Sequence, residues 1–232
     1  MPEMIADNIK SVMGRITKCC EHIGRPGDSV RLIAVSKEAS LGQMEEALGA
    51  GITAFGENRV QDALIKHRAI GDRAQWHMIG HLQTNKARDA VKIFSLIHSV
   101  DSLKLAEEID RQAARIGKRQ SILVQVNVSG EKSKSGISPK DAVDFLKEAV
   151  LLHNISITGL MTIAPEVENA ESVRPYFKTL KDLLLKTRPI VEGISDEAEF
   201  SSLSMGMTND FEVAIGEGSN MVRIGRAIFK HD

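Results

Sequence analysis

The chain has 232 residues, 42% of them hydrophobic and 26% charged, the make-up of a soluble globular protein large enough to bury a core without disulfides or metals. A formal net charge of -1 supplies no basic field and argues against nucleic acid as a partner. No apolar run approaches the length needed to cross a bilayer, the polar opening Met1-Pro2-Glu3-Met4 has no signal-peptide character, and the adjacent Cys19 and Cys20 read as reduced thiols of a cytoplasmic protein.

Taken in order, residues 4–23 read as an amphipathic helix with Ile5, Ile9, Val12 and Ile16 on one face, broken by Arg25-Pro26-Gly27-Asp28. A strand follows over 31–36, then a helix over 41–50 that stops near Gly49 and Gly51. The alternation continues with strand 52–55, helix 59–70, strand 75–79, helix 85–94, strand 96–100 and helix 102–117, which Asp101 or Ser102 caps. Strand 121–128 leads to a helix over 139–152, with Ser138 as cap and Pro139 in its first position. Strand 155–161, helix 169–188, strand 201–204, helix 208–216 and strand 221–224 complete the pattern.

The strands are short and rich in Val, Ile, Leu and Phe, as parallel strands buried on both faces are. Strand–helix alternation through the whole chain predicts an α/β protein, a (β/α)8 barrel forming a single domain over 1–232, with the opening helix taking the place of the eighth outer helix. The competing open doubly wound sheet carries a glycine-rich turn after its first strand, whereas this chain has Val35-Ser36-Lys37-Glu38 there.

Barrel sites are built at the C-terminal ends of the strands. Those exits carry Lys37, Asn58, Gly80-His81, Asp101, Asn127, Thr162, Ser204-Met205-Gly206 and Arg223-Ile224-Gly225-Arg226. Lys37 follows an apolar run; at a barrel mouth, desolvation disfavours its ammonium and makes a Schiff-base nucleophile, the alternative being a solvated lysine. The glycine-bearing turns after the last two strands suit a phosphate held on backbone amides, or serve turn geometry alone. Arg223 can face a heteroaromatic nitrogen or pair with a carboxylate such as Glu217, and the residues alone favour the carboxylate. In the third strand, Trp76 is expected under the helices and His77 inside the barrel as a core histidine. Glu57 and Asp101 suit acid–base work or capping, Lys86 a surface or anion-positioning role, and no grouping has metal-ligand spacing.

Several segments together resemble one family: Ile33-Ala34-Val35-Ser36-Lys37, Phe55-Gly56-Glu57-Asn58, the run from Trp76 to Lys86, Gly159-Leu160-Met161-Thr162, Leu203-Ser204-Met205-Gly206-Met207 and Met221-Val222-Arg223-Ile224-Gly225. They are similar to the pyridoxal phosphate homeostasis proteins, themselves like the barrel domain of alanine racemase. The resemblance implies that Lys37 holds pyridoxal 5′-phosphate (PLP) as a Schiff base. It implies that Ser204 and the backbone near Gly206, Gly225 and Arg226 hold the phosphate, that Arg223 lies by the pyridine nitrogen and Asn58 by the cofactor, and that Lys134 is a transient handhold. Two positions depart from the family pattern: Lys230 where glycine is usual, and Arg226 where a small polar residue is common.

The same resemblance implies storage, protection or delivery of PLP without robust catalysis, PLP-dependent apo-enzymes as partners, and a monomer. Two enzyme readings compete. A racemase of low activity needs an acid and a base on opposite faces of a carbon, and the single tyrosine, Tyr176, falls in a helix-like segment. An arginine beside the ring nitrogen also leaves the ring a poorer electron sink. A cofactor-free Schiff-base aldolase is the third reading.

Overall fold

A computed structural model describes residues 5–131, 134–194 and 199–229; Lys230 lies outside the described residues. Eight parallel strands close into a barrel in sequence order, each pairing with the next and the last with the first. They are β1 (Arg31–Val35), β2 (Ala54–Glu57), β3 (Gln75–Met78), β4 (Leu96–Val100), β5 (Gln120–Gln125), β6 (Ile155–Met161), β7 (Ser202–Ser204) and β8 (Met221–Ile224). The helices are α1 (Ile5–His22), α2 (Leu41–Gly49), α3 (Val60–Ile70), α4 (Ala87–Ile93), α5 (Leu103–Arg115), α6 (Ala142–Ala149), α7 (Arg174–Glu192), α8 (Phe211–Gly216) and α9 (Arg226–Phe229). This is the expected (β/α)8 barrel. As expected, α1 completes the outer ring, lying against α2 on one side and α8 and α9 on the other.

The local chemistry explains the boundaries. Ser40 caps α2 with a reciprocal capping box: its hydroxyl accepts from the Gln43 amide and the Gln43 side chain accepts from the Ser40 amide. Ser102 caps α5 by accepting from the Leu105 amide. The second strand was expected at 52–55 but begins at Ala54, because the Ile52 amide donates to Ala47 O at 3.0 Å and so closes the end of α2. Pro139 does not open α6. Ser138 Oγ accepts from the Asp141 amide at 3.3 Å, and the helix starts one turn later at Ala142.

Strand alternation divides the apolar residues unequally. Outward positions such as Leu32, Ala34, Phe55, Trp76, Met78 and Ile97 join one continuous core between sheet and helices. Trp76 packs there against Phe55 and His67. Inside the barrel, Leu96, Leu123 and Met161 form a much smaller cluster with Met221 packed on it. The remaining interior positions include His77, His98, Ser204 and Arg223, all buried. Within the described residues no helix is long and apolar enough to cross a membrane.

Candidate functional site

A cavity of about 850 Å³ opens at the C-terminal ends of the strands, where a barrel assembles its site. Lys37, Asn58, Lys134, Arg223, Gly225 and Arg226 all line it. The sequence reading therefore gathered residues from four different strand exits that the fold brings to one place. Ser204 and Gly206 lie beneath the wall and not on it; both are buried, and the chain reaches the cavity through Met207, Thr208, Asn209 and Asp210 instead.

Lys37 sits on the turn just past β1. That turn is held from below: the Ser36 amide donates to Gly56 O at 3.0 Å and the Ala39 amide to Ser36 O at 2.9 Å. Ser36 Oγ donates to Glu57 Oε1 at 2.5 Å. Lys66 Nζ on α3 donates to the same carboxylate oxygen at 2.8 Å and to Ser36 O at 2.5 Å. Glu57 is fully buried and the Lys66 side chain is only 13% exposed. Glu57 thus belongs to the support of the β1 exit, not to the cavity wall.

The shielding expected of Lys37 needs correction. Its side chain is 50% exposed and its Nζ lies 3.5 Å from Glu38 Oε1. The reason is geometric: β1 ends at Val35, so the lysine stands on the turn above the apolar layer and not within it. The partner expected for Arg223 is corrected too. Glu217 follows α8 on the outside of the barrel and pairs with Arg174 at 2.7 Å. Arg223 points inward, donating through Nη1 to Ser204 Oγ at 2.6 Å and through Nη2 to Thr162 O at 2.8 Å. Burial lowers its pKa to about 10, with the charge of Asp210 acting the other way.

His77 is a buried interior histidine, as expected, and its Nδ1 lies 2.9 Å from His98 Nε2. His98 Nδ1 is in turn 2.8 Å from Ser204 Oγ. Burial pushes His77 down to about 3 and His98 well below the ordinary imidazole range. Asp210, on the cavity wall, accepts from the Met207 amide at 2.6 Å, while its burial raises its pKa. Sequence reasoning missed His98 and the wall position of Asp210. Strand parity holds the signal for His98, since it lies two residues beyond Leu96, the register partner of His77.

Two turns at the rim are suited to an anion. A Cβ on Gly225 would come within 3.1 Å of Val35 Cβ and Val35 O, so the backbone passes close to β1 only because no side chain is present. The first amides of α9 follow at once and have no acceptor within the helix. Arg226 forms no ion pair among the described residues. Lys134 reaches the cavity on a loop held by Asn127, whose Nδ2 donates to Glu131 O at 2.9 Å and Lys134 O at 3.1 Å. Lys134 Nζ is 3.4 Å from Glu131 Oε1. His81 lies 3.6 Å from Asp101.

The profile of the alanine racemase N-terminal domain matches residues 8–232. The pyridoxal phosphate homeostasis protein of Aquifex aeolicus is 40% identical over 224 residues, 96% of either chain. That of Pseudomonas aeruginosa is 38% identical over 226 residues, covering 97% of this chain and 94% of its own. The chain belongs to the pyridoxal phosphate homeostasis protein family. PipY of Synechococcus elongatus PCC7942, solved with PLP bound, superposes with a TM-score of 0.83 at 35% identity, covering 97% of this chain and all of PipY. Alanine racemase of Clostridium difficile 630 gives a TM-score of 0.69 at 16% identity. That likeness concerns the fold alone, and this chain spans 56% of the racemase.

The residues present fit the group for which this family is named. A primary amine, a glycine-led turn opening a helix, and a guanidinium at the floor match an aldehyde, a phosphate and a ring nitrogen respectively. The cavity volume of about 850 Å³ falls within the usual range for cofactor sites.

Proposed function

We propose that this chain binds pyridoxal 5′-phosphate on Lys37 and acts in PLP homeostasis, storing, protecting or delivering the cofactor. One observation carries the reading: Lys37, Arg223 and the Gly225-Arg226 turn, from the two ends of the sheet order, line a single cavity. The barrel closure between β1 and β8, with Ala34 opposite Ile224, makes the amine and the anion turn neighbours. Lys37 Nζ would be the amine that holds the cofactor through its aldehyde, whose chemistry the group supplies when bound. The backbone at Gly225 and Arg226 would hold the phosphate, and the Arg226 side chain would add positive charge that the glycine-led turn does not need for its amides. Arg223 would donate toward the ring nitrogen, and Asn58 lines the same cavity.

Ser204 serves this arrangement through Arg223, and Gly206 through the packing that shapes the turn. Lys134 offers a second amine at the rim for capture or release. Tyr176 sits on α7 and is not part of the cavity wall, which favours a carrier over a racemase that uses it as an acid. PLP-dependent apo-enzymes are the proposed recipients, and we read the chain as a cytoplasmic monomer.

The test is a visible spectrum of the chain incubated with PLP, followed by borohydride reduction and mapping of the modified peptide. The label is expected on Lys37, and Lys37→Ala should lose it while unfolding at an unchanged temperature. Reducible colour that persists in Lys37→Ala at wild-type level refutes the assignment and directs attention to Lys134.

A further inference from the structure

Between the cavity and the centre of the barrel runs a line of four buried polar side chains: Arg223, Ser204, His98 and His77. Its hydrogen-bond direction can be deduced. A guanidinium only donates, so Arg223 Nη1 donates to Ser204 Oγ. The Ser204 hydroxyl is fully enclosed, and its own proton needs an acceptor. Among the described residues the one acceptor within reach is His98 Nδ1, at 2.8 Å. His98 is therefore unprotonated on Nδ1 and carries its proton on Nε2, which donates to His77 Nδ1 at 2.9 Å. His77 then holds its proton on Nε2, an enclosed atom with no protein partner. Each link fixes the next, and both imidazoles are neutral. The burial that pushes His77 down to about 3 agrees with that state.

We propose that His98, acting through Ser204, is a positioning residue that locks the Arg223 guanidinium as a one-way donor at the cavity floor. In that state Arg223 can give a hydrogen bond to a ligand acceptor but has no means of supplying a proton to it. Held in that direction, the guanidinium is aimed at the floor of the cavity, and ligand affinity there depends on His98 through it. The ligand half of this inference rests on the proposed PLP reading. The hydrogen-bond half rests on the chain alone.

Two arms test it. Imidazole nitrogen NMR of the wild-type chain without cofactor should show the proton of both His77 and His98 on Nε2 at neutral pH. A proton on His98 Nδ1 overturns the proposal. The second arm titrates PLP into His98→Leu and His98→Gln. Glutamine has an oxygen that accepts from Ser204 and an amide that donates to His77, so it restores the direction of the chain. His98→Leu should bind PLP about tenfold more weakly, with a shifted visible band, because Arg223 loses its fixed partner. His98→Gln should return to within about threefold of wild type, with the wild-type band. A His98→Leu chain with wild-type affinity and spectrum, or a glutamine variant no better than leucine, refutes positioning. If His98→Leu does not fold, the NMR arm and the glutamine variant still decide. A wild-type chain that takes up no PLP sinks the cofactor reading and the ligand half with it, while the tautomers still decide the other half.

Discussion

Lys66→Met places a severe load on the support beneath Lys37. Glu57 is fully buried, and its partner Lys66 is only 13% exposed, so solvent does little to screen the pair. Methionine keeps the length of the stem but removes the cation and two hydrogen bonds, one to Glu57 and one to Ser36 O. Glu57 Oε2 already lacks a partner, which leaves the Ser36 hydroxyl as the sole donor to the carboxyl group. Removing one member of a buried pair costs about 3–5 kcal/mol, and for a chain of this size the melting temperature falls by roughly 6–20 °C. The double variant Glu57→Gln/Lys66→Met removes both charges and should recover at least about 1 kcal/mol relative to Lys66→Met alone. Urea unfolding followed by fluorescence measures both, because the chain has one tryptophan and Trp76 is buried against the helices. A loss under about 1 kcal/mol in Lys66→Met, or a double variant as unstable as the sum of the singles, refutes an ion-pair support for this turn.

Three further outcomes follow from the geometry. Gly206→Ala would put a methyl carbon 2.6 Å from Ala214 Cβ at a backbone φ of +95°; calorimetry should show a loss of about 2–5 kcal/mol from overpacking and backbone strain together. Gly225→Val crowds Val35, where even a Cβ stands at 3.1 Å, and should weaken PLP binding about ten- to a hundredfold by disturbing charge-assisted phosphate contacts; unchanged affinity in a titration would remove this turn from the site. His77 is neutral in the fold down to about 3, while an unfolded histidine takes a proton near pH 6.5. Its stabilising contribution is therefore complete above pH 6.5 and declines between there and about pH 3, at up to about 1.4 kcal/mol per pH unit. Urea unfolding at neutral and mildly acidic pH should show a shallower decline for His77→Gln, and equal slopes would contradict the burial argument.

Much of this architecture is legible in the residues because the strands are short, buried and largely apolar and the helices carry clear stops and caps. The errors have specific causes. Ile52 looks like strand, yet its amide is committed to the end of α2. Helix α9 has four residues, too few to show any period. Glu217 is near Arg223 in sequence, but the two lie on opposite sides of the sheet, and proximity along the chain says nothing about face. Lys37 follows an apolar strand, but a turn of one or two residues decides how much water the amine meets, and periodicity does not encode that. His98 hides because Leu96-Ile97-His98-Ser99-Val100 reads as a plain buried strand. Only the register against β3 shows that it shares a face with His77.

The lumen and the outer shell of this barrel divide the work of the chain. Apolar cohesion resides in the annulus between sheet and helices, while the lumen holds only a small apolar cluster around its polar line. Inward-facing positions are thereby released from most of the burden of keeping the protein folded. Exchanges there that keep each polar partner satisfied leave the annulus untouched and act chiefly on what the floor of the cavity offers a ligand.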